Sequence, residues 1–254
     1  MNIYTLKTHK ITTQDKDLFA ILDTYLPNFS EGSILAITSK IVAISQGDVA
    51  PIGTVDKQAL IEQEAEYFLP PATNRYGVTL TIKAGLLIPN AGIDESNGNG
   101  YHILWPRQPQ QTANALRAYL CRRFNIQHAG VLITDSNVTP LRMGVTGVAL
   151  AHSGFLALNN YIGVPDLFDR PLRMTQANLA DAMATTAVLL MGEGNEQTPL
   201  AVIQDAGFVT FQPRDPTTEE LEQLHIARED DLYGALLTNA AWQKGGKADA
   251  DKRG

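Results

Sequence analysis

A short apolar run, Leu86-Leu87-Ile88, breaks into the turn Asn90-Ala91-Gly92-Ile93-Asp94-Glu95-Ser96-Asn97. Within four residues that turn offers two carboxylates, a hydroxyl and a carboxamide, the hard oxygen donors that Mg²⁺, Mn²⁺ and Ca²⁺ prefer. The pattern recurs twice. Gly130-Val131-Leu132-Ile133-Thr134 reads as a buried strand ending in Asp135-Ser136, and the apolar helix from Ala182 to Met191 ends in Gly192-Glu193-Gly194-Asn195-Glu196. Three apolar elements finished by oxygen donors make a divalent-metal site the first chemistry to test, provided the fold brings their ends together.

The chain's 254 residues suffice for one large domain or two small ones, and 44% hydrophobic with 19% charged residues is ordinary for a soluble globular protein. A net charge of -7 argues against a nucleic-acid partner. The single cysteine, Cys121, excludes an intramolecular disulfide and a cysteine-built zinc site, as suits a reducing compartment. No apolar signal region follows Met1, and no run of 18 uninterrupted apolar residues exists, so a cytoplasmic protein without a membrane span is expected. Residues 244–254, polar and aperiodic, are expected to form a disordered tail behind a catalytic unit of residues 1–243. That unit is expected to be single, with two intimately packed subdomains as the alternative; a boundary near residue 107 or 215 has no linker to mark it.

Periodicity predicts strands and helices in mixed order. Thr12 or Thr13 would cap a helix with Leu18, Ile21, Leu22, Tyr25 and Leu26 on one face. Strands are expected at Ile34–Ile37, His102–Trp105, Val131–Thr134, Val145–Leu150, Leu200–Ile203 and Phe208–Phe211, with a hairpin of Val78–Ile82 and Leu86–Ile88 around Lys83-Ala84-Gly85. Helices are expected at Asp56–Phe68, Thr112–Phe124 and Thr175–Met191, and Thr217-x-x-Glu220 is a capping box. This order is neither a clean βαβ alternation nor all-β, which predicts an α+β fold.

Acidic turns often serve only their own backbone, and the three clusters differ in what else they could do. An EF-hand beginning at Asp94 would need glycine at 99, where the chain has Asn99. Glu193 follows Gly192, a C-terminal helix cap, where the helix dipole disfavours another carboxylate by a few tenths to about 1 kcal/mol; a bound cation or solvating water would offset this. Gly192-Glu-Gly-Asn lacks the Gly-Lys-Ser/Thr ending of a Walker A loop, and no G-x-G-x-x-G follows a strand. His9, His102, His128, His152 and His225 share no metal-binding spacing, and His152-Ser153-Gly154 reads as a turn. Lys10, Lys40, Arg142, Arg170 and Arg173 together could balance a polyanionic substrate.

With these residues set out, the chain resembles the coenzyme F420-0:γ-glutamyl ligase family over roughly residues 9 to 205. The family's Ala-Gly-Ile-Asp-x-Ser-Asn appears as Ala91 to Asn97. Its Leu-Leu-Pro-x-x-Pro and Ala-x-x-Leu-Arg appear as Leu104-Trp105-Pro106-x-x-Pro109 and Ala113-Asn-Ala-Leu116-Arg117. Asp135-Ser136-x-x-x-Pro140-x-Arg142-x-Gly144 and Met191-Gly192-Glu193-x-x-Glu196-x-x-Pro199 match two further motifs in register.

The resemblance implies a homodimeric, cytoplasmic ligase that uses GTP, or ATP, with two Mg²⁺ or Mn²⁺ ions and K⁺ as a further ion. Its substrates would be L-glutamate and F420-0, a folate-type acceptor being the alternative, with an acyl phosphate as intermediate. It implies Asp94, Asp135, Ser136 and Glu193 as metal ligands. It places Ser39, Lys40, Asn97, the segment His9, Lys10, Ile11, Thr12, and the segment from Met191 through Gly192, Gly194, Asn195 and Glu196 to Thr198 on the nucleotide. Arg142 and Lys40 are the candidates for catalysis. The chain departs from the family where its Val-Ser-Lys-Ala-Glu-Gly stretch reads Val42-Ala43-Ile44-Ser45-Gln46-Gly47, with Ile44 in place of lysine, and where Pro-Trp-Arg reads Pro140-Leu141-Arg142. Lys40, four residues before Ile44, would approach the same region on a helix. A non-catalytic metal- or nucleotide-binding relic is the reading from a different class.

Overall fold

The structure is a computed structural model and describes residues 1–247. β1 (Asn2–Leu6) leads through α1 (Leu18–Tyr25) to β2 (Ser33–Thr38), which passes directly into α2 (Ser39–Gln46). Next come β3 (Val49–Pro51), α3 (Lys57–Glu64), β4 (Tyr67–Leu69), β5 (Leu80–Lys83), β6 (Leu86–Pro89) and β7 (Tyr101–Ile103). The second half holds α4 (Pro109–Phe124), β8 (Ala129–Val138), β9 (Val145–Ser153), β10 (Leu158–Asn160), β11 (Gln176–Asn178), α5 (Leu179–Met191) and β12 (Leu200–Gln204). α6 (Thr218–Glu222), α7 (Gly234–Asn239) and β13 (Gln243–Lys244) close it. The fold is mixed α+β, as the sequence predicts.

The main sheet has the order β1-β12-β2-β8-β9, with β2 and β8 parallel and the other pairs antiparallel. The place of β2 explains why it is apolar from Ile34 to Ile37 without alternation. Leu35 and Ile37 face a core with Leu18, Leu22, Leu116 and Leu120 of α1 and α4, while Ile34 and Ala36 face Ala180, Met183, Ala184 and Ala187 of α5. A strand buried on both faces loses the polar alternation of a half-exposed one. A second, antiparallel sheet, β13-β4-β5-β6, carries the turn that begins at Asn90. A smaller core of Leu60, Ile61, Phe68, Ala91 and Ile93 packs beneath that turn.

Several elements differ from the sequence reading. The helix from Asp56 stops at Glu64, because Ala65 turns extended and Tyr67–Leu69 pair with β5; aromatic residues favour the pleated surface. The helix expected from Thr175 begins at Leu179, since Gln176–Asn178 pair with β10 and the Asn178 side chain caps the helix by accepting from Asp181 N–H. α1 is capped by Asp17, not by Thr12 or Thr13. Residues 208–211 form no strand and make only one bridge, Phe155 to Phe211. β1 went unforeseen; its half-buried residues pair with β12. The expected disordered tail begins too early at 244. Lys244 pairs with Tyr67, and the Gly245 and Gly246 N–H groups donate to the Glu66 and Glu62 carbonyls. The rest of that tail, 248–254, lies outside the described residues. The Thr217–Glu220 capping box is present in full.

Candidate active site

The three acidic element ends do meet. A cavity of about 630 Å³ opens where the parallel strands β2 and β8 end, and Asp94, Asp135, Ser136 and Glu193 all line it. The carboxyl ends of parallel strands are a recurrent ligand position in sheets of this kind. The cavity also receives His9 to Thr12 from the β1–α1 segment, Lys40 and Ile44 from α2, Asn97, and Met191 to Thr198 from the end of α5. Lys40 and Ile44 lie one turn apart on the same face, as the helical spacing requires.

Each donor has its own setting. Asp94 accepts from Lys40 Nζ at 2.6 Å and from the Ser96 hydroxyl at 2.6 Å, and the Ser96 N–H donates to its other oxygen at 2.8 Å. Desolvation works to raise the Asp94 pKa, but these bonds and the Lys40 charge outweigh it and leave the carboxyl below its ordinary range. Asp135 accepts from the Trp105 indole N–H. Burial is the largest influence on Asp135 and pushes its pKa up to about 6, against the Trp105 bond and the Lys40 charge. The Ser136 hydroxyl donates to Glu193 Oε2 at 3.0 Å.

The donor set is the one a hard divalent ion takes. Among the described residues, however, no group of three or more acidic, histidine or cysteine side chains converges closely enough to hold an ion. As described, Asp94 is paired with an ammonium and Glu193 with a hydroxyl. An ion shared by these groups would displace Lys40 from Asp94.

The surrounding segments are braced. His9 uses both ring nitrogens, Nδ1 toward the Tyr25 hydroxyl and Nε2 toward Asp15, each at 2.8 Å. Asp15 also accepts from the Thr12 N–H at 2.8 Å, the first cause of its lowered pKa. The His9 ring nitrogens are therefore occupied, and this segment offers a ligand its backbone and Lys10. The Asn97 carboxamide donates to the Gly194 carbonyl at 2.9 Å, tying the Asp94 turn to the loop after α5. In that loop Glu196 accepts from the Gly194 N–H at 2.8 Å. Gly192, at φ +81°, adopts a backbone conformation that favours glycine, and the Glu196 carboxylate lies against its bare Cα.

Four of the cationic or polar candidates, Ser39, Arg142, Arg170 and the exposed Arg173, fall outside the lining. Ser39 is buried, 4% exposed, and is not part of the cavity lining. Arg142 sits in the exposed turn between β8 and β9 between Leu141 and Met143, and is not part of the lining. Arg170 lies in the exposed loop after β10, its guanidinium 3.7 Å from Asp166. Thr8, Asn99 and Asp15 contribute to the site without having been singled out. A backbone bond from Thr8 to Gln197 at 2.9 Å is a long-range contact that no local pattern announces.

A family model described as F420-0:Gamma-glutamyl ligase matches residues 5–205. The chain is similar to the coenzyme F420:L-glutamate ligase of Methanopyrus kandleri, 32% identical over 190 residues covering 68% of this chain and 75% of the relative. The enzyme of that name from Methanococcus maripaludis is 31% identical over 229 residues, 88% of this chain and 87% of the relative. The Archaeoglobus fulgidus enzyme is 29% identical over 256 residues, 93% of this chain and 98% of its own.

Proposed function

The chain belongs to the F420-0:gamma-glutamyl ligase family, and from that premise we propose that it forms an amide between the amine of L-glutamate and a carboxylate of coenzyme F420-0, at the expense of GTP. One observation carries the reading: the oxygen donors, Lys40 and the glycine loop after α5 line a single cavity.

A carboxylate is a poor acylating group at neutral pH. Transfer of the nucleotide's γ-phosphoryl to it gives an acyl phosphate; the glutamate amine then attacks the acyl carbon, and phosphate leaves with its electron pair as an amide forms. Phosphoryl transfer depends on positioning and charge neutralisation. Asp94, Asp135, Ser136 and Glu193 would hold Mg²⁺ or Mn²⁺. When bound, such ions supply positive charge against the phosphate oxygens. Lys40, released from Asp94, provides a further positive charge, and the backbone of His9 to Thr12 and of Gly192 to Asn195 positions the nucleotide. Arg142 has no place in this cavity and is left out of the scheme. The exposed side chains of Leu141, Met143, Leu167 and Phe168 support a homodimer, whose apolar contact they would supply. Among the described residues no helix is long and apolar enough to cross a membrane.

The test is a mass-spectrometric ligation assay with L-glutamate, Mg²⁺ or Mn²⁺, GTP or ATP, and either F420-0 or a reduced folate. Gain of one glutamyl unit on F420-0, lost when metal or GTP is omitted, is the expected result. A product on folate alone would move the acceptor. Absence of product with both, while nucleotide still binds, would favour the non-catalytic reading.

A further inference from the structure

Trp105 lies just beyond β7 and is buried, 7% exposed, with its indole N–H donating to Asp135 Oδ2. A buried indole N–H needs an acceptor, and a backbone carbonyl would have served. The acceptor is instead a carboxylate that lines the cavity. The ring also has two supports apart from Asp135. One support is Gly92, at φ +72°, where a Cβ would fall 2.1 Å from the indole nitrogen, so the ring lies directly on bare backbone. The other is Lys83, whose ammonium stands 5.3 Å from the ring centroid. Lys83 is in turn fixed by Glu64 at 3.0 Å and the Ala91 carbonyl at 3.3 Å. Ring position is thus set from the second sheet and its turn, and Asp135 receives it.

Gly92 belongs to the same turn that presents Asp94 two residues later. One rigid ring therefore rests on the Asp94 turn and bonds to the Asp135 carboxylate. An indole is a donor only. It can orient a carboxylate without neutralising it and without occupying a coordination position, which an ammonium such as Lys40 cannot do. We propose that Trp105 is a positioning residue that gauges Asp135 against the Asp94 turn, so that the two carboxylates meet a divalent ion at a fixed separation. The proposal rests on the reading of Asp135 as an ion ligand.

The test measures Mn²⁺ affinity from the free-ion electron paramagnetic resonance signal for the full chain and for Trp105→Phe, Asp135→Asn and Trp242→Phe, Trp242 being the chain's other tryptophan, whose indole N–H donates to the Leu237 carbonyl. Loss of an outer hydrogen bond to a ligand weakens metal binding by about 10–100-fold. Trp105→Phe is expected in that range and Asp135→Asn at least as weak, with Trp242→Phe unchanged. Saturating Mn²⁺ should restore turnover to Trp105→Phe but not to Asp135→Asn. Unaltered affinity in Trp105→Phe beside weakened binding in Asp135→Asn would overturn the positioning role alone. Unaltered affinity in Asp135→Asn would overturn the ligand reading beneath it. Should Trp105→Phe fail to fold, the ¹⁵N–¹H indole resonances of the unaltered chain decide. On Mg²⁺ titration the Trp105 signal should move while that of Trp242 stays still, and a motionless Trp105 signal would refute the proposal.

Discussion

Asp94 and Asp135 line one cavity but are held there in opposite ways. Asp94 stands on a turn of the second sheet, half-exposed, against a flexible ammonium and a hydroxyl. Asp135 extends from a strand buried on both faces and meets a neutral, rigid indole. The first carboxyl is charge-balanced and its pKa lies below the ordinary range; the second is desolvated and its pKa rises to about 6. Apart from the bonds it keeps, Asp94 already has its counter-ion, and an incoming metal must displace it. Asp135 has none, and its burial is the cost that a metal would relieve. On the proposed reading such a site is half prepared: one carboxylate is oriented in advance, while the other would exchange partners.

Breaking either carboxylate gives the largest expected effect. Asp94→Asn and Asp135→Asn should each lower the ligation rate on the order of 10³-fold, corresponding to several kcal/mol of lost charge stabilisation, while circular dichroism shows the fold retained. Full activity in either variant would remove it from the ion site.

Stability of the ion-free protein against pH separates the two more sharply. A carboxyl whose folded pKa is raised favours folding below its unfolded pKa and opposes it as pH rises through the folded value. Asp135 should therefore destabilise the ion-free protein between pH 4 and about 6 and above, by up to about 3 kcal/mol from its shift. In urea melts with chelator, Asp135→Asn should be more stable than the unaltered chain at pH 7.5 and equal to it at pH 4. Asp94 has the opposite sign: its contribution is present above the ordinary carboxylate range and fades as pH falls, so Asp94→Asn should lose stability at pH 7.5 and approach the unaltered chain in acid.

Lys40→Met tests the exchange of partners. The pair is partly exposed, with side chains 25% and 46% accessible, a setting in which ion pairs contribute about 0–1 kcal/mol. Isothermal titration should show Mn²⁺ binding tightened by no more than about five-fold in the absence of nucleotide, and nucleotide binding weakened. Tighter nucleotide binding would contradict the role given to Lys40. An effect of similar size belongs to Asn97→Ala, which cuts the tie to Gly194. One exposed hydrogen bond contributes about 0.5–1.5 kcal/mol, so GTP affinity should fall about two- to ten-fold with the unfolding midpoint nearly unchanged.

Much of this site was legible because its donors cluster where apolar segments end, and a strand or helix terminus fixes where such a cluster lies. Lys40 and Ile44 were legible as neighbours because helical spacing is a local property. Arg142 was misplaced for an equally physical reason. Its seven-residue distance from Asp135 looks short, but β8 continues to Val138, and at about 3.3 Å per residue three more strand residues carry the chain roughly 10 Å outward before it turns. Ser39, next to Lys40, lies outside the lining, since successive helical residues face about 100° apart. Trp105 and Thr8 could not be found locally, since their partners lie in other elements, whereas Asp15 bonds His9 and Thr12 of its own segment. The Trp105 bond depends on the second sheet docking near the end of β8, which no segment of sequence encodes by itself.

Anomalous scattering from crystals grown with Mn²⁺ and a non-hydrolysable GTP analogue tests the central claim most directly. The account predicts manganese peaks within coordination distance of both Asp94 and Asp135, Lys40 Nζ moved from Asp94 to the phosphates, and the Trp105–Asp135 bond unchanged. Bound nucleotide with Lys40 still on Asp94, and manganese absent from both carboxylates, would contradict it.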